Sequence, residues 1–182
     1  MRGYQTLRQF LLFSNNVVGS TSTFTAAIKN NVRRVVYCSS MARYGNLKVP
    51  FLESDIPEPV DPYGISKLAS EKILINLSKT FNFEYNIAIP HNIVGPKQKY
   101  DDPYRNVVSI MTNLMLQNKR PYIYGDGEQK RSFSDVDDCI YCLDQLVTRD
   151  DVKSEIFNIG PDDKFTTINE LFSILSNKMK FN

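Results

Sequence analysis

Asp61-Pro62-Tyr63-Gly64-Ile65-Ser66-Lys67 opens a stretch that carries apolar Ile65, Leu68, Ala69, Ile73, Leu74 and Leu77 at helical spacing. Asp61 suits the N-cap and Pro62 the first turn, so a helix is predicted from Tyr63 to Thr80. Upstream, Val35-Val36-Tyr37-Cys38 within Arg34–Ser39 is a short apolar run suited to a buried parallel strand, and downstream Tyr85–Pro90 reads as a second strand. The unit is therefore strand, helix, strand. Outward from it the same alternation continues. Asn15–Asn30 reads as a helix, with Gly19, Ala26 and Ala27 suited to close packing, and so do Asn106–Gln117, Asp135–Val147 and Ile168–Lys178; Pro121–Tyr124 and Glu155–Ile159 read as strands. Alternating strands and helices predict an α/β fold around a parallel sheet. In such sheets ligands sit beyond the carboxyl ends of the strands. That rule puts Ser39-Ser40, His91-Asn92 and the turn Gly125-Asp126-Gly127 on the ligand side.

The bulk numbers narrow the function. The 182 residues are enough for a real core, with 42% apolar and 23% charged residues. A net charge of +2 argues against nucleic-acid binding, which needs a basic face. No apolar run approaches the ~18–20 residues of a membrane span. Phe10-Leu11-Leu12-Phe13 is short and lacks a cleavage site, so it does not read as a signal peptide. Three cysteines exclude a full disulfide framework, and a reducing cytosol is the simplest compartment. Cys139 and Cys142 form a C-x-x-C without a second ligand pair and read as core residues of a helix, so no metal site is expected. The glycine-rich turn that opens a dinucleotide fold is not in this sequence.

Two Tyr-x-x-x-Lys pairs occur, Tyr44/Lys48 and Tyr63/Lys67. Gly45-Asn46 breaks the helical spacing of the first. In the second, the two side chains share a helix face. Tyrosine, with a pKa of ~10, is a poor base at neutral pH, and a nearby ammonium favours its phenolate. A positioned phenolate can take a proton from an alcohol. The same pair also reads as a surface Tyr and Lys on an exposed helix face, and by itself it does not choose.

The neighbouring segments add to the pair. Ser39-Ser40-Met41-Ala42-Arg43-Tyr44-Gly45, Pro62-Tyr63-Gly64-Ile65-Ser66-Lys67, His91-Asn92-Ile93-Val94-Gly95-Pro96, Tyr124-Gly125-Asp126-Gly127 through Arg131-Ser132-Phe133, and Asn158-Ile159-Gly160 follow in order. In this order and spacing the chain, from about Asn15 onward, resembles the NAD-dependent epimerase/dehydratase family of extended short-chain dehydrogenases/reductases. The resemblance implies an α/β fold with a partial Rossmann-like parallel sheet, helices on both faces, and a small substrate-binding lobe. It implies NAD as cofactor and a nucleotide-sugar as substrate. Tyr63 would be the acid/base, Ser40 would bond the reacting sugar hydroxyl, and Lys67 would tune Tyr63 and bind the nicotinamide ribose. Asn16, Ser39, Pro90 and His91 would lie near the cofactor, with His91 contributing backbone rather than acting as a catalyst. Asn92 would bind a phosphate oxygen or sugar hydroxyl, Asn106 and Val107 would approach the diphosphate through backbone groups, and Tyr122 and Tyr124 would flank the base. Arg131 would clamp the diphosphate, for which its rigid fork of donors is suited; the alternative is a surface arginine.

Met41 and Ala42 stand where family dehydratases carry acidic residues. Without a carboxylate to move a second proton, elimination is disfavoured. The expectation is a 4-epimerase of the UDP-glucose/UDP-galactose or UDP-N-acetylhexosamine type. The alternatives are a non-catalytic fragment that keeps the nucleotide-sugar pocket or a dimer surface, and a dehydratase or reductase. Residues 1–95 would be the later part of the NAD-binding domain, with roughly 80 residues absent before Asn15. Residues 96–182 would be mostly substrate lobe, with segments returning to the sheet and the family's final portion absent. The resemblance also implies a homodimer formed through the helices near Asn16–Asn30 and Tyr63–Thr80.

Overall fold

Side-chain caps set the starts of three helices in this chain. A computed structural model describes residues 10–99, 106–161 and 165–181. The chain is helical from residue 10, with Ser14–Gly19 wound as a π-helix that runs directly into α1 (Ser20–Lys29). β1 (Arg34–Cys38) leads to a 3-10 turn at Met41–Tyr44, then α2 (Pro62–Phe81), β2 (Glu84–Pro90) and β3 (Ile93–Val94). After these come α3 (Val107–Leu116), β4 (Lys130–Arg131), β5 (Ser134–Asp135), α4 (Val136–Thr148), β6 (Glu155–Ile159), β7 (Thr166–Thr167) and α5 (Ile168–Met179). Asp61 caps α2 by accepting from the Gly64 amide at 2.7 Å, and Asn82 in the left-handed region closes it. Thr167 and Glu170 form a reciprocal capping box on α5.

One expected element is not formed. Pro121–Tyr124 is irregular: Tyr122 and Tyr124 are 80% and 83% exposed, while Ile123 between them packs into a core. Pro121 is buried and Ile123 half-buried, and the segment has no ladder partner among the described residues. Gly19 and Ala26, expected to pack closely, are exposed.

The described residues divide into two compact units: those up to Pro90 with Ile140–Ile159, and His91–Cys139 with Gly160 onward. The first holds a parallel three-stranded sheet of order β1-β2-β6. Period-two alternation sends Val35, Tyr37, Ile87 and Ile89 to one face, where Phe24 of α1 and Leu74 of α2 cover them. Phe24 meets Tyr37 edge to face at 5.7 Å. Full burial of Leu74, Ile87 and Ile89 contributes about 2 kcal/mol each. On the opposite face Asn86 is fully buried, and its amide donates to the carbonyls of Leu146 and Val152 at 2.8 and 3.0 Å. The end of α4 is thereby fixed to the sheet, and helices flank the sheet on both faces. Arg34 reinforces that join. Its Nη1 donates to the carbonyls of Leu146, Val147 and Arg149, capping the C-terminus of α4, and its Nε and Nη2 donate to Glu84 Oε2. Those bonds hold the Glu84 carboxyl below its usual range.

The second unit is built on α3 and α5, with Met111, Ile168 and Leu171 buried between Val107, Val108, Ile123 and Phe133. Two short ladders brace it, β3 parallel to β5 and β4 antiparallel to β7. Among the described residues no helix is long and apolar enough to cross a membrane.

Candidate active site

The side chains expected to do chemistry in the first unit gather at the carboxyl end of β1. Ser39 continues the parallel ladder through its amide, bonded to the Ala88 carbonyl at 2.7 Å. Ser40 then turns the chain: its extended backbone makes it the cap of the 3-10 turn, and its Oγ accepts from the Ala42 amide at 3.2 Å. This turn lies directly against the start of α2. A Cβ added at Gly64 would fall 2.5 Å from the Ala42 carbonyl oxygen. Tyr63, adjoining Gly64, keeps 39% of its surface exposed.

Lys67 sits one helical turn after Tyr63 and points back to the strand. Its Nζ donates to the Cys38 carbonyl at 2.6 Å and lies 4.6 Å from the centre of the Tyr37 ring. One turn further, Glu71 is 1% exposed. One of its carboxylate oxygens accepts from the Ser39 hydroxyl, and the other pairs with Arg43 Nη2 at 3.3 Å. Burial pushes the Glu71 carboxyl up; the bond from Ser39 and the charge of Arg43 oppose that push. Asn16, in the π-helical segment, is tied to α2 as well: its Nδ2 donates to Ser66 Oγ at 3.0 Å and its carbonyl accepts from Ser70 Oγ at 2.8 Å. Pro90 ends β2, opposite Ile159. Tyr44 of the other Tyr-x-x-x-Lys pair is a core residue, fully buried, stacked on Phe51 at 4.7 Å and bonded to Asn158 at 2.9 Å.

The second unit gathers a different set. Asn92, Asn106, Val107, Tyr122, Tyr124 and Arg131 all line one cleft of about 220 Å³, joined by Gln129 and Ile168. Asn92 adopts a left-handed backbone (φ 41°), and its side chain donates to the Ser132 carbonyl at 2.8 Å. Asn106 caps α3, accepting from the Ser109 amide at 3.1 Å and donating to the Ile93 carbonyl at 3.0 Å, so its side chain serves the fold. Arg131 is exposed, and Nη1 bonds the neighbouring Lys130 carbonyl at 3.1 Å. His91 is anchored through its carbonyl to Ser134 Oγ at 3.1 Å, and its Cβ would lie 3.0 Å from a Cβ added at Gly160. Of the expected site residues, six line the second unit's cleft, Ser39, Ser40 and Lys67 gather at the end of β1 with Tyr63 opening the adjoining helix, and Asn16, Pro90 and His91 belong to neither group.

A larger cavity in the first unit, about 730 Å³, opens at the opposite ends of the strands, between Arg33, Lys79, Phe83 and Ser154. None of the catalytic candidates lines it, and Glu84 in its wall is committed to Arg34 and Lys153. Among the described residues no group of three or more His, Cys, Asp and Glu is placed to hold a metal. Sequence reading missed Glu71, Arg43 and Gln129. The spacing Tyr63, Lys67, Glu71 was the available signal for Glu71, since all three lie four apart on one helix face.

The Ser40 hydroxyl and the Lys67 ammonium lie at the carboxyl end of β1, where ligands of parallel sheets bind, and are donors of the kind that the nicotinamide ribose of NAD would take.

A GDP-mannose 3,5-epimerase 1 of Oryza sativa subsp. indica is 31% identical over 173 residues, covering 91% of this chain and 45% of the relative. The crystal structure of UDP-glucose 4-epimerase with UDP-glucose from Thermotoga maritima superposes with a TM-score of 0.86 at 32% identity, over 93% of this chain and 55% of that one. UDP-glucuronic acid 4-epimerase from Bacillus cereus, in complex with UDP-glucuronic acid and NAD, gives a TM-score of 0.81 at 27% identity, over 90% and 51%. The chain spans about half the length of the proteins it matches. The profile of the NAD dependent epimerase/dehydratase family matches residues 6–160, and the chain belongs to that family.

Proposed function

We propose that this chain carries the proton-transfer groups and the nucleotide-sugar cleft of an NAD-dependent UDP-hexose 4-epimerase. NAD, when bound, supplies the acceptor and donor of hydride. Tyr63 takes the proton of the sugar C4 hydroxyl and later returns it, and Ser40 holds that hydroxyl by a hydrogen bond. Lys67, one helical turn after Tyr63, bonds the ribose. Arg131 clamps the diphosphate, and Tyr122 and Tyr124 flank the base. Uridine is preferred because the solved relatives that this chain resembles bind UDP-sugars by name. Epimerisation at C4 needs no second acid. Met41 and Ala42 supply none, and Glu71, bonded to Ser39, is buried against Arg43.

The observation that carries this reading is that six residues selected for nucleotide-sugar contact line one cleft. Titration calorimetry with UDP tests it. Arg131→Ala is expected to weaken UDP binding about tenfold to a hundredfold, the loss of one or two charge-assisted bonds. Unchanged affinity would remove Arg131 from the cleft's function, and tighter binding of GDP than UDP would overturn the uridine assignment. A second reading, a chain that binds nucleotide-sugar without turning it over, is favoured by the cleft's being lined by residues of the second unit, whereas Ser40, Tyr63 and Lys67 belong to the first. NAD absorbance retained through purification separates the two.

The same reading carries a homodimer through the faces of α1 and α2, where Ile65 and Phe81 of α2 are exposed. Light scattering on the 20.9 kDa chain is expected to give twice that mass, and a monomer at all concentrations would remove this part of the reading.

A further inference from the structure

We propose that the buried Ser39–Glu71–Arg43 cluster is a positioning device that fixes Ser40 against the helix bearing Tyr63 and Lys67. Ser40 lies between two residues that a single carboxylate holds: Ser39 bonds one oxygen of Glu71 and Arg43 pairs with the other. Two more ties bracket the same turn, Lys67 Nζ on the Cys38 carbonyl and the close approach of the Ala42 carbonyl to Gly64. All of these anchors come from α2, at Gly64, Lys67 and Glu71, and Tyr63 adjoins the first of them. A rotation or slide of α2 therefore moves the Ser40 turn with it.

Stability alone is a poor reason for the cluster. Replacing a buried ion pair by apolar residues of similar volume is often neutral or stabilising. The Arg43 and Glu71 side chains are 5% and 1% exposed, so the pair carries the full desolvation penalty. Arg43 offsets part of it by laying its guanidinium 5.2 Å from the centre of the Tyr44 ring. What the charged pair provides and an apolar pair would not is a directional link from one carboxylate to both flanks of Ser40.

The inference rests on the epimerase reading, and the decisive experiment separates folding from turnover. The double variant Arg43→Met/Glu71→Leu is expected to keep the thermal midpoint of the parent chain. Its kcat for UDP-galactose conversion with NAD should fall about 10²-fold, the effect of an ångström-scale misplacement, with KM changed less than about twofold. Parental kcat in a folded double variant would overturn the proposal. Should the double variant not fold, Ser39→Ala removes one hydroxyl and is read by amide hydrogen exchange. Faster exchange at Ser40–Ala42, with Ile87 unchanged, supports the proposal; unchanged exchange at Ser40–Ala42 overturns it. If the parent chain converts no UDP-hexose, the epimerase reading fails by that result, and the exchange measurement on Ser39→Ala decides the positioning claim alone.

Discussion

Tyr63→Phe is expected to lower the rate of UDP-galactose to UDP-glucose conversion by about 10²–10⁴-fold, the usual contribution of a positioned acid/base. The substitution removes one oxygen and keeps the ring. Tyr63 is well exposed, so little of the core depends on it. The helix start is untouched, because Asp61 caps α2 through the Gly64 amide and Ser66 Oγ bonds the Tyr63 backbone carbonyl. The cleft lined by Arg131 and the two tyrosines belongs to the other unit, so UDP affinity should stay at its parental value. The pattern to look for is lost kcat with unchanged nucleotide affinity, measured by product chromatography and calorimetry on one preparation. Turnover within tenfold of the parent chain would take Tyr63 out of the reaction.

The second large effect is expected at Gly64. Within a helix alanine is favoured over glycine by about 1 kcal/mol, so propensity alone predicts that Gly64→Ala stabilises. Packing predicts the reverse. The new Cβ would lie 2.5 Å from the Ala42 carbonyl oxygen and 3.0 Å from the Pro59 Cβ. A backbone carbonyl has no rotamer to escape into, so the whole Ser40 turn must shift. Overpacking of this kind costs about 3 kcal/mol, which leaves a net destabilisation of about 2 kcal/mol and lowers the melting midpoint by roughly 4–8 °C for a chain of this size. Because the displaced segment carries Ser40, turnover should fall in the variant even at temperatures where it is folded. Circular dichroism melting is the measurement, and a midpoint at or above the parent's would show that propensity wins.

What could be read from the sequence follows the length of each signal. α2 was legible at both ends because Asp61, Pro62 and a long apolar period agree. β1, β2 and β6 were legible as apolar runs between turn residues. The two-residue ladders of β3, β4, β5 and β7 are too short to hold a period. Pro121–Tyr124 misled because two tyrosines around an isoleucine have strand propensity, whereas the structure buries Pro121 and half-buries Ile123 without a ladder. The ordered motifs led to the residues now lining the second unit's cleft. Glu71 was passed over because a glutamate on a helix is normally solvated, and its partner Arg43 belongs to a turn well upstream that no local pattern links to it.

The anchors of the Ser40 turn, from Cys38 to Glu71, are contiguous in the chain, whereas the second unit's cleft draws on residues from Asn92 to Ile168. Domains of a nascent polypeptide fold from the N-terminal side as they leave the ribosome, and local contacts form faster than distant ones. The local ties of the Ser40 turn are therefore expected to form before β6, which is translated after most of the cleft residues, completes the sheet of the same unit.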